Sequence, residues 1–251
     1  MVSATCRFRG AFSPDMNRAL SLRLPMFDVS PIPFCTAILV AAGSSRRMGF
    51  DKLAATLGGK PVLRRTLEAF LAADSISSVV LVCPEDRWSL LDGVDFTKPV
   101  TRTDGGTDRQ DSVARGLAAL DPETRFVAVH DGARPLVAPE DIDRCVAAAI
   151  QHRAATLARR ATETMKRSDA DDFSADAICR ENLWCMETPQ VMEISLLRDA
   201  YAAVAASNLL VTDEVSAVQA IGAKVKFIES RHPNLKITTQ ADLALAEALL
   251  K

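Results

Sequence analysis

The stretch AILVAAGSSRRMGFDKL, residues 37–53, decides how the chain is read. An apolar β-type run stops at Gly43, small polar residues follow, and Arg46, Arg47 and Lys52 arrive within ten positions. Alanine and glycine at a strand end let main-chain N–H groups approach a ligand closely, and fixed cations just beyond suit a phosphate. The loop is neither G-x-x-x-x-G-K-[ST] nor G-x-G-x-x-G, so the ATPase and dinucleotide fingerprints both fail. A solvated basic turn is the plain alternative for this stretch alone.

Outward from that loop, short apolar β-rich runs alternate with helical patterns, which predicts a parallel sheet flanked by helices. Strands are expected at residues 36–41, 77–82, 98–102, 125–130, 154–159 and 224–229. Helices are expected at residues 61–73, 110–120, 139–150, 193–206, 213–221 and 239–250. The 61–73 and 139–150 segments each open on proline, which is preorganised for a first helical turn; the second adds acids where the helix dipole favours them, and the last is expected to be capped near Thr239. Residues 160–186 break the alternation: "SDADDFSAD" separates the short extended pieces "TETMKR" and "AICREN", which reads as a hairpin or arm leaving the sheet. The expected class is therefore α/β, a Rossmann-like, mostly parallel sheet with a projecting β-arm.

Composition narrows the partners. With 251 residues, 48% apolar side chains and a net charge of -2, the chain can bury a sizeable core, and nothing marks it as a nucleic-acid binder. No apolar run reaches the roughly 18 residues of a membrane span. The six cysteines form no C-x-x-C pair and the three histidines are scattered, so neither a disulfide framework nor a zinc site is expected. Residues 1–34 carry Arg7, Arg9, Arg18 and Arg23 without convincing periodicity. They are read as a disordered extension or an upstream start before Met26, with an organelle transit peptide as the alternative. A cytoplasmic protein is expected on the first reading and a plastid one on the second, with the working domain at residues 35–251.

Ligands of an open parallel sheet sit beyond the carboxyl ends of its strands, and four more segments there carry chemistry. "DGGTDRQDSV" (104–113) is a glycine-rich turn opening a helix, with Ser112 in its first turns; helix N-termini attract anions. "VAVHDGARPLV" (127–137) ends a buried strand at Asp131, able to hold a ribose hydroxyl or a divalent cation, while Arg134 can grip a phosphate bidentately. "TETMKR" and "CRENLWCMETPQV" bring Thr164, Arg180 and Thr188, although Trp184 reads equally as core and Thr188-Pro189 as a turn. In "HPNLKITTQADLALAEALL" (232–250), Lys236 is placed in a short strand before the last helix.

Together, "AAGSSRRMG", "DGGTDRQDSV", "HDGARP", "ETMKR", "LWCMETPQ", "VTDEVSA" and "NLKIT" resemble, in order from about residue 36 to the end, the 2-C-methyl-D-erythritol 4-phosphate cytidylyltransferase family of isoprenoid biosynthesis. The resemblance implies a nucleotidyltransferase fold. It also implies in-line attack of a sugar-alcohol phosphate on the α-phosphorus of CTP with Mg²⁺ bound, and pyrophosphate leaving. By the same likeness Arg47, Lys52 and Lys236 are the catalytic cations. Ala41, Ala42, Gly43, Ser44, Gly106, Ser112, Asp131 and Gly132 meet the nucleotide, with Asp131 the metal position. Arg134, Thr164, Arg180, Thr188 and Thr212 fall on the acceptor side, and a homodimer is implied in which the arm completes the neighbour's site. Departures are Ser44-Ser45, the short spacer from Arg47 to Lys52, Asp51 where proline is frequent, and Arg159-Arg160 before the arm. The competing readings are a cytidylyltransferase for another polyol phosphate, such as ribitol 5-phosphate, and a non-catalytic nucleotide-binding protein on the same fold.

Overall fold

The computed structural model describes residues 35–43, 51–207 and 209–250. Ser44, Arg47 and the extension at 1–34 therefore lie outside the described residues. In chain order the elements are β1 Cys35–Val40, β2 Thr56–Leu57, β3 Lys60–Pro61, α1 Val62–Ala72, β4 Ile76–Val82, a 3₁₀ helix Glu85–Leu91, β5 Val100–Thr103, α2 Arg109–Ala118, β6 Phe126–Asp131, α3 Pro139–His152, β7 Ala154–Arg160, β8 Met165–Ser168, β9 Ser174–Ile178, β10 Trp184–Glu193, α4 Ile194–Ala206, α5 Glu214–Ala220, β11 Lys226–Glu229 and α6 Gln240–Leu249.

The main sheet runs β11-β7-β10-β6-β1-β4-β5 and is parallel except at β10, which is antiparallel to both neighbours. Side chains alternate across it as a pleated strand requires. In β1, Ala37 and Leu39 enter one apolar cluster and Ile38 the other. The first cluster is closed by α1 and α3. Val62, Leu63, Thr66, Leu67, Phe70 and Leu71 form the buried stripe of α1 at helical spacing, and Leu63, Leu67 and Phe70 are wholly buried, worth about 1.5–3 kcal/mol each. The second is closed by α2, α4 and α5. The result is a sheet between two helical layers.

From β1 the chain steps outward through β4 to β5, then returns through α2 to β6 on the other side of β1. The direction of winding reverses between β1 and β6, and the carboxyl ends of these two strands diverge into a crevice. Because β7 is antiparallel to β10 and β10 to β6, β7 finishes at that same end. The β8-β9 hairpin grows from there.

Several expectations are corrected. The arm is a hairpin, but its strands span only 165–168 and 174–178; residues 184–186 belong to β10 in the sheet. The Thr188-Pro189 pair marks no turn: it lies within β10, its peptide bond is cis, and the β7 pairing shifts register between Met186 and Gln190. A local irregularity of this kind accommodates a residue without an N–H inside a sheet. Trp184 is half-buried rather than core, packed 5.7 Å from Phe227 with the Arg160 guanidinium 4.4 Å over its ring. Lys236 is in no strand; its segment has no regular secondary structure and docks by Ile237 N–H to the Ala133 carbonyl at 2.8 Å. Thr239 does cap α6, through a capping box with Asp242. Among the described residues the cysteines are free thiols, no group of three or more His, Cys, Asp or Glu side chains is placed to hold a metal, and no helix is long and apolar enough to cross a membrane.

Candidate active site

A cavity of about 680 Å³ opens where β1 and β6 diverge. Its wall brings together Ala41, Ala42 and Gly43 from the end of β1, Lys52, Gly106 and Ser112, Asp131 from the end of β6, and Lys236. Two of the three cations expected to converge thus share one cavity. A second cavity of about 200 Å³, lined by Arg134, Thr188, Gln190, Thr212 and Asp213 among others, shares Arg109, Asp131 and Lys236 with the first. The first volume falls within the range of small-molecule sites.

The glycine turn before α2 is built for close approach. A side chain at Gly105 would meet the Ala42 Cβ at 2.1 Å, and one at Gly106 the Asp111 Cβ at 2.2 Å. Ser112 is buried; its hydroxyl accepts from the Gly106 N–H at 3.0 Å and donates to the Asp108 carbonyl at 2.8 Å, which staples the turn to the helix. The Asp108 carboxylate caps α2 through the Asp111 N–H. Opposite, Gly132 holds β6 to β1, its N–H on the Val40 carbonyl and its own carbonyl accepting from Thr66. Gly132 lines neither cavity.

Asp131 is the electrostatic hub. Lys236 Nζ stands 2.8 Å from Oδ2, Arg109 Nε 3.2 Å from Oδ1 and Arg134 Nε 3.6 Å from Oδ2. Burial alone would raise this carboxyl, but Arg109 and Lys236, with Arg134, outweigh it and hold the group well below the usual carboxylate range. Arg109 is fixed from behind: its two terminal nitrogens donate to the wholly buried Glu214 carboxylate at 2.8 and 2.9 Å, and Tyr201 donates to the same carboxylate at 3.1 Å. Burial works against the charge on Arg109, yet Glu214 and Asp131 raise its pKa overall.

Arg134 is walled in by main chain, donating to the Asn234 carbonyl at 2.7 Å and to the Met186 carbonyl at 3.5 Å, so it ties β6, β10 and the Lys236 segment together. Burial is the largest influence on it and pulls its pKa below the ordinary arginine value. The Thr188 hydroxyl accepts from the Asp131 N–H at 3.2 Å and lies 2.9 Å from His130 Nδ1. His130 is wholly buried, and burial pulls its pKa down to about 3, leaving a neutral ring. Nδ1 then accepts from Thr188 while Nε2 donates to the Arg134 carbonyl at 3.3 Å.

Thr164 and Arg180, by contrast, sit on the exposed arm and line neither cavity; Arg180 donates to the Thr162 carbonyl. Arg159 and Arg160 line neither cavity; Arg159 stands 3.8 Å from Glu187, a residue of the second cavity's wall, and Arg160 3.8 Å from Glu229.

Sequence reasoning missed Arg109, Glu214 and Arg87. Arg109 opens α2 among other charged residues, and Glu214 follows a helix cap, where an acid ordinarily serves the dipole. Arg87 follows Pro-Glu-Asp and reads as surface, yet it is buried and reaches back to the β1 loop. The one available signal was position, since Arg109 and Arg87 both follow strands on the ligand side of the sheet.

The family model for 2-C-methyl-D-erythritol 4-phosphate cytidylyltransferase matches residues 35–251. A curated protein of that name from Parasynechococcus marenigrum is 43% identical over 217 residues, spanning 85% of this chain and 96% of that one. A rice protein, named as the chloroplastic enzyme, is 37% identical, spanning 86% of this chain and 74% of its own. Among solved structures, the 4-diphosphocytidyl-2C-methyl-D-erythritol synthase of Anaerococcus prevotii superposes with a TM-score of 0.76 at 30% identity, over 86% of this chain and 98% of that one. The Thermus thermophilus 2-C-methyl-D-erythritol 4-phosphate cytidylyltransferase gives 0.70 at 31%, over 85% and 97%.

Proposed function

The chain belongs to the 2-C-methyl-D-erythritol 4-phosphate cytidylyltransferase family, and from that premise we propose how its paired cavities carry the reaction. The enzyme transfers CMP from CTP to 2-C-methyl-D-erythritol 4-phosphate, giving 4-diphosphocytidyl-2-C-methyl-D-erythritol and pyrophosphate. The observation that carries the assignment of parts is that the two cavities meet at Arg109, Asp131 and Lys236.

CTP takes the larger cavity, its base and ribose against the Gly106–Ser112 turn and its phosphates over Ala42 and Gly43. The acceptor takes the smaller, beside Arg134, Thr188 and Thr212. The α-phosphorus then lies at the junction, within reach of Lys52 and Lys236. A phosphate monoester is already anionic near pH 7, so no general base is required. The site's work is to align two anions and to neutralise charge gathering on the phosphoryl oxygens. Lys236 suits this because it is tethered to Asp131 yet 39% exposed, so an arriving phosphate can share its three donors. Arg47 joins this set by family likeness alone.

Mg²⁺ is part of the proposal. The carboxylates lining the larger cavity are Asp108 and Asp131, and Asp108 is engaged as a helix cap. Asp131 is the other carboxylate facing the space for the triphosphate; it would hold the ion together with phosphate oxygens, sharing the carboxylate with Lys236 and Arg109, which stand 2.8 and 3.2 Å from it. When bound, the ion neutralises charge on the triphosphate and the departing pyrophosphate.

A homodimer is proposed on the exposed arm, where Phe173 is 71% exposed, with Thr164 and Arg180 contributed to the partner subunit's acceptor site. A cytoplasmic location is proposed, or a plastid one if residues 1–34 direct import; import of the tagged full chain into isolated plastids decides between them.

The experiment is pyrophosphate release by the full chain with CTP, Mg²⁺ and each acceptor in turn. Turnover with 2-C-methyl-D-erythritol 4-phosphate far above that with ribitol 5-phosphate is expected. Faster turnover of ribitol 5-phosphate overturns the acceptor, and none with any acceptor overturns catalysis.

A further inference from the structure

Arg87 sits on the 3₁₀ helix after β4, and its guanidinium reaches across to both described flanks of the nucleotide loop. Nη1 donates to the Ala41 carbonyl, Nη2 donates to the Gly43 carbonyl at 3.0 Å, and Nε donates to the Asp51 carboxylate at 3.0 Å. The side chain is only 10% exposed. Asp51 in turn organises the turn that begins with it. Its other carboxylate oxygen accepts from the Leu53 N–H at 3.0 Å, and its carbonyl accepts from the Ala54 and Ala55 N–H groups at 3.2 and 3.1 Å. Leu53 is buried, and its carbonyl accepts from the Leu63 N–H. Lys52 is thus carried on a turn whose first residue is gripped by Arg87 and whose third is set in the core.

One planar fork therefore holds Ala41 and Gly43 with one edge and Asp51 with the other. Only a guanidinium supplies donors in that spread; an ammonium is a point charge that cannot address three acceptors on two segments at once. The first segment presents main chain to the cavity and the second presents Lys52. Among the described residues no helix or strand joins the two segments, since β1 ends at Val40 and β2 begins at Thr56.

We propose that Arg87 is a positioning residue for cytidylyl transfer, one that acts through Lys52 by holding the Asp51–Leu53 turn in register with Ala41–Gly43. The proposal rests on the proposed function for the role of Lys52. Arg87 lines neither cavity of the site.

The test compares wild type with Arg87→Met, which keeps the stem and removes the fork, with Arg87→Lys, and with both Lys52→Met and the Lys52→Met/Arg87→Met double variant. CTP turnover is followed with labelled nucleotide, CTP affinity by calorimetry and folding by thermal melting. Displacing a reacting group by about 1 Å costs about 100-fold, so Arg87→Met is expected to lower kcat about 100-fold while raising the CTP dissociation constant about tenfold or less. Arg87→Lys is expected to recover only a small part of that loss and serves as the test if the methionine variant fails to fold. Once Lys52 is gone, the added Arg87→Met change should cost less than about threefold, because positioning effects that act through one group are not additive. A purely structural arginine would lower the melting temperature and leave kcat per folded molecule unchanged, and that result overturns the proposal. So does a full additional loss in the double variant. If wild type turns over no acceptor, the functional reading fails by itself. CTP affinity then decides this one, with affinity of Arg87→Met equal to wild type counting against it.

Discussion

Replacing Lys236 with methionine removes one positive charge from the junction of the two cavities and keeps the apolar stem. Its Nζ lies 2.8 Å from Asp131 Oδ2. A unit charge about 4 Å from a phosphoryl oxygen, at the effective dielectric of about 20 suited to such sites, interacts by about 4 kcal/mol. Only the part that grows as charge gathers in the transition state lowers the barrier. Loss of comparable preorganised donors costs about 3–4 kcal/mol, or about 10²–10³ in kcat. The fold should hardly notice. Asp131 keeps Arg109 at 3.2 Å, and because Lys236 is 39% exposed solvent screening limits its pair to about 0–1 kcal/mol, or about 3 °C in melting temperature for a domain of this size. The assay is pyrophosphate release at saturating CTP and acceptor, beside thermal melting of the same preparations. A kcat within fivefold of wild type would refute the convergence of charge on the phosphorus. A melting temperature lower by about 10 °C would show instead that Lys236 holds the site together.

Glu214→Gln leaves the half-buried Arg109 with Asp131 as its remaining carboxylate among the described residues, and should cost about 3 kcal/mol, the lower end for breaking an ion pair with a buried partner; urea midpoints measure it, and a loss under about 1 kcal/mol would contradict the geometry. The pH dependence of stability follows from His130, whose folded pKa of about 3 lies under its ordinary 6.5. As pH falls below 6.5 the unfolded chain takes up a proton that the folded one refuses, so stability declines by up to about 1.4 kcal/mol per pH unit and levels off below pH 3. Asp131, with its folded pKa depressed from 3.8, and Glu68 and Glu193, depressed from 4.5, keep their contributions above those values, so melting between about pH 6.5 and pH 5 isolates the histidine limb; His130→Gln should flatten it, and an unchanged slope would remove His130 as the cause. Finally, mixing Arg180→Ala with Lys236→Met protein, each inactive alone, should restore about a quarter of wild-type turnover if sites are shared across a twofold dimer. No recovery after subunit exchange would remove Arg180 from the partner's site.

How far the sequence could be read depends on whether a signal is local. Periodicity located six of the seven strands of the main sheet and the six α-helices, because burial of alternate or stripe positions is written into neighbouring residues. Strand β10 escaped, since Thr188-Pro189 is a turn signal over any short window and only pairing with β6 and β7 on both sides overrides it. Lys52 and Asp131 stood out as chemistry beyond the ends of β1 and β6, whereas Lys236, which stands at no strand end, drew notice only through its company in the family resemblance. Arg87 and Glu214 were not: their partners lie 36 to 46 and 105 residues away in sequence, and nothing near either residue distinguishes a buried charge from a solvated one. Thr188 was read as an acceptor contact, yet its hydroxyl is also committed to His130 and the Asp131 main chain.

The hairpin Met165–Ile178 leaves from the ligand end of β7 and supplies no side chain to either apolar cluster. Substitutions along it therefore meet no packing penalty in the chain's own apolar clusters, and its length can vary without moving a register of the main sheet. Whatever the hairpin touches can be retuned by drift while the nucleotide machinery stays fixed, so divergence among related chains should be concentrated there, with the crevice between β1 and β6 changing last.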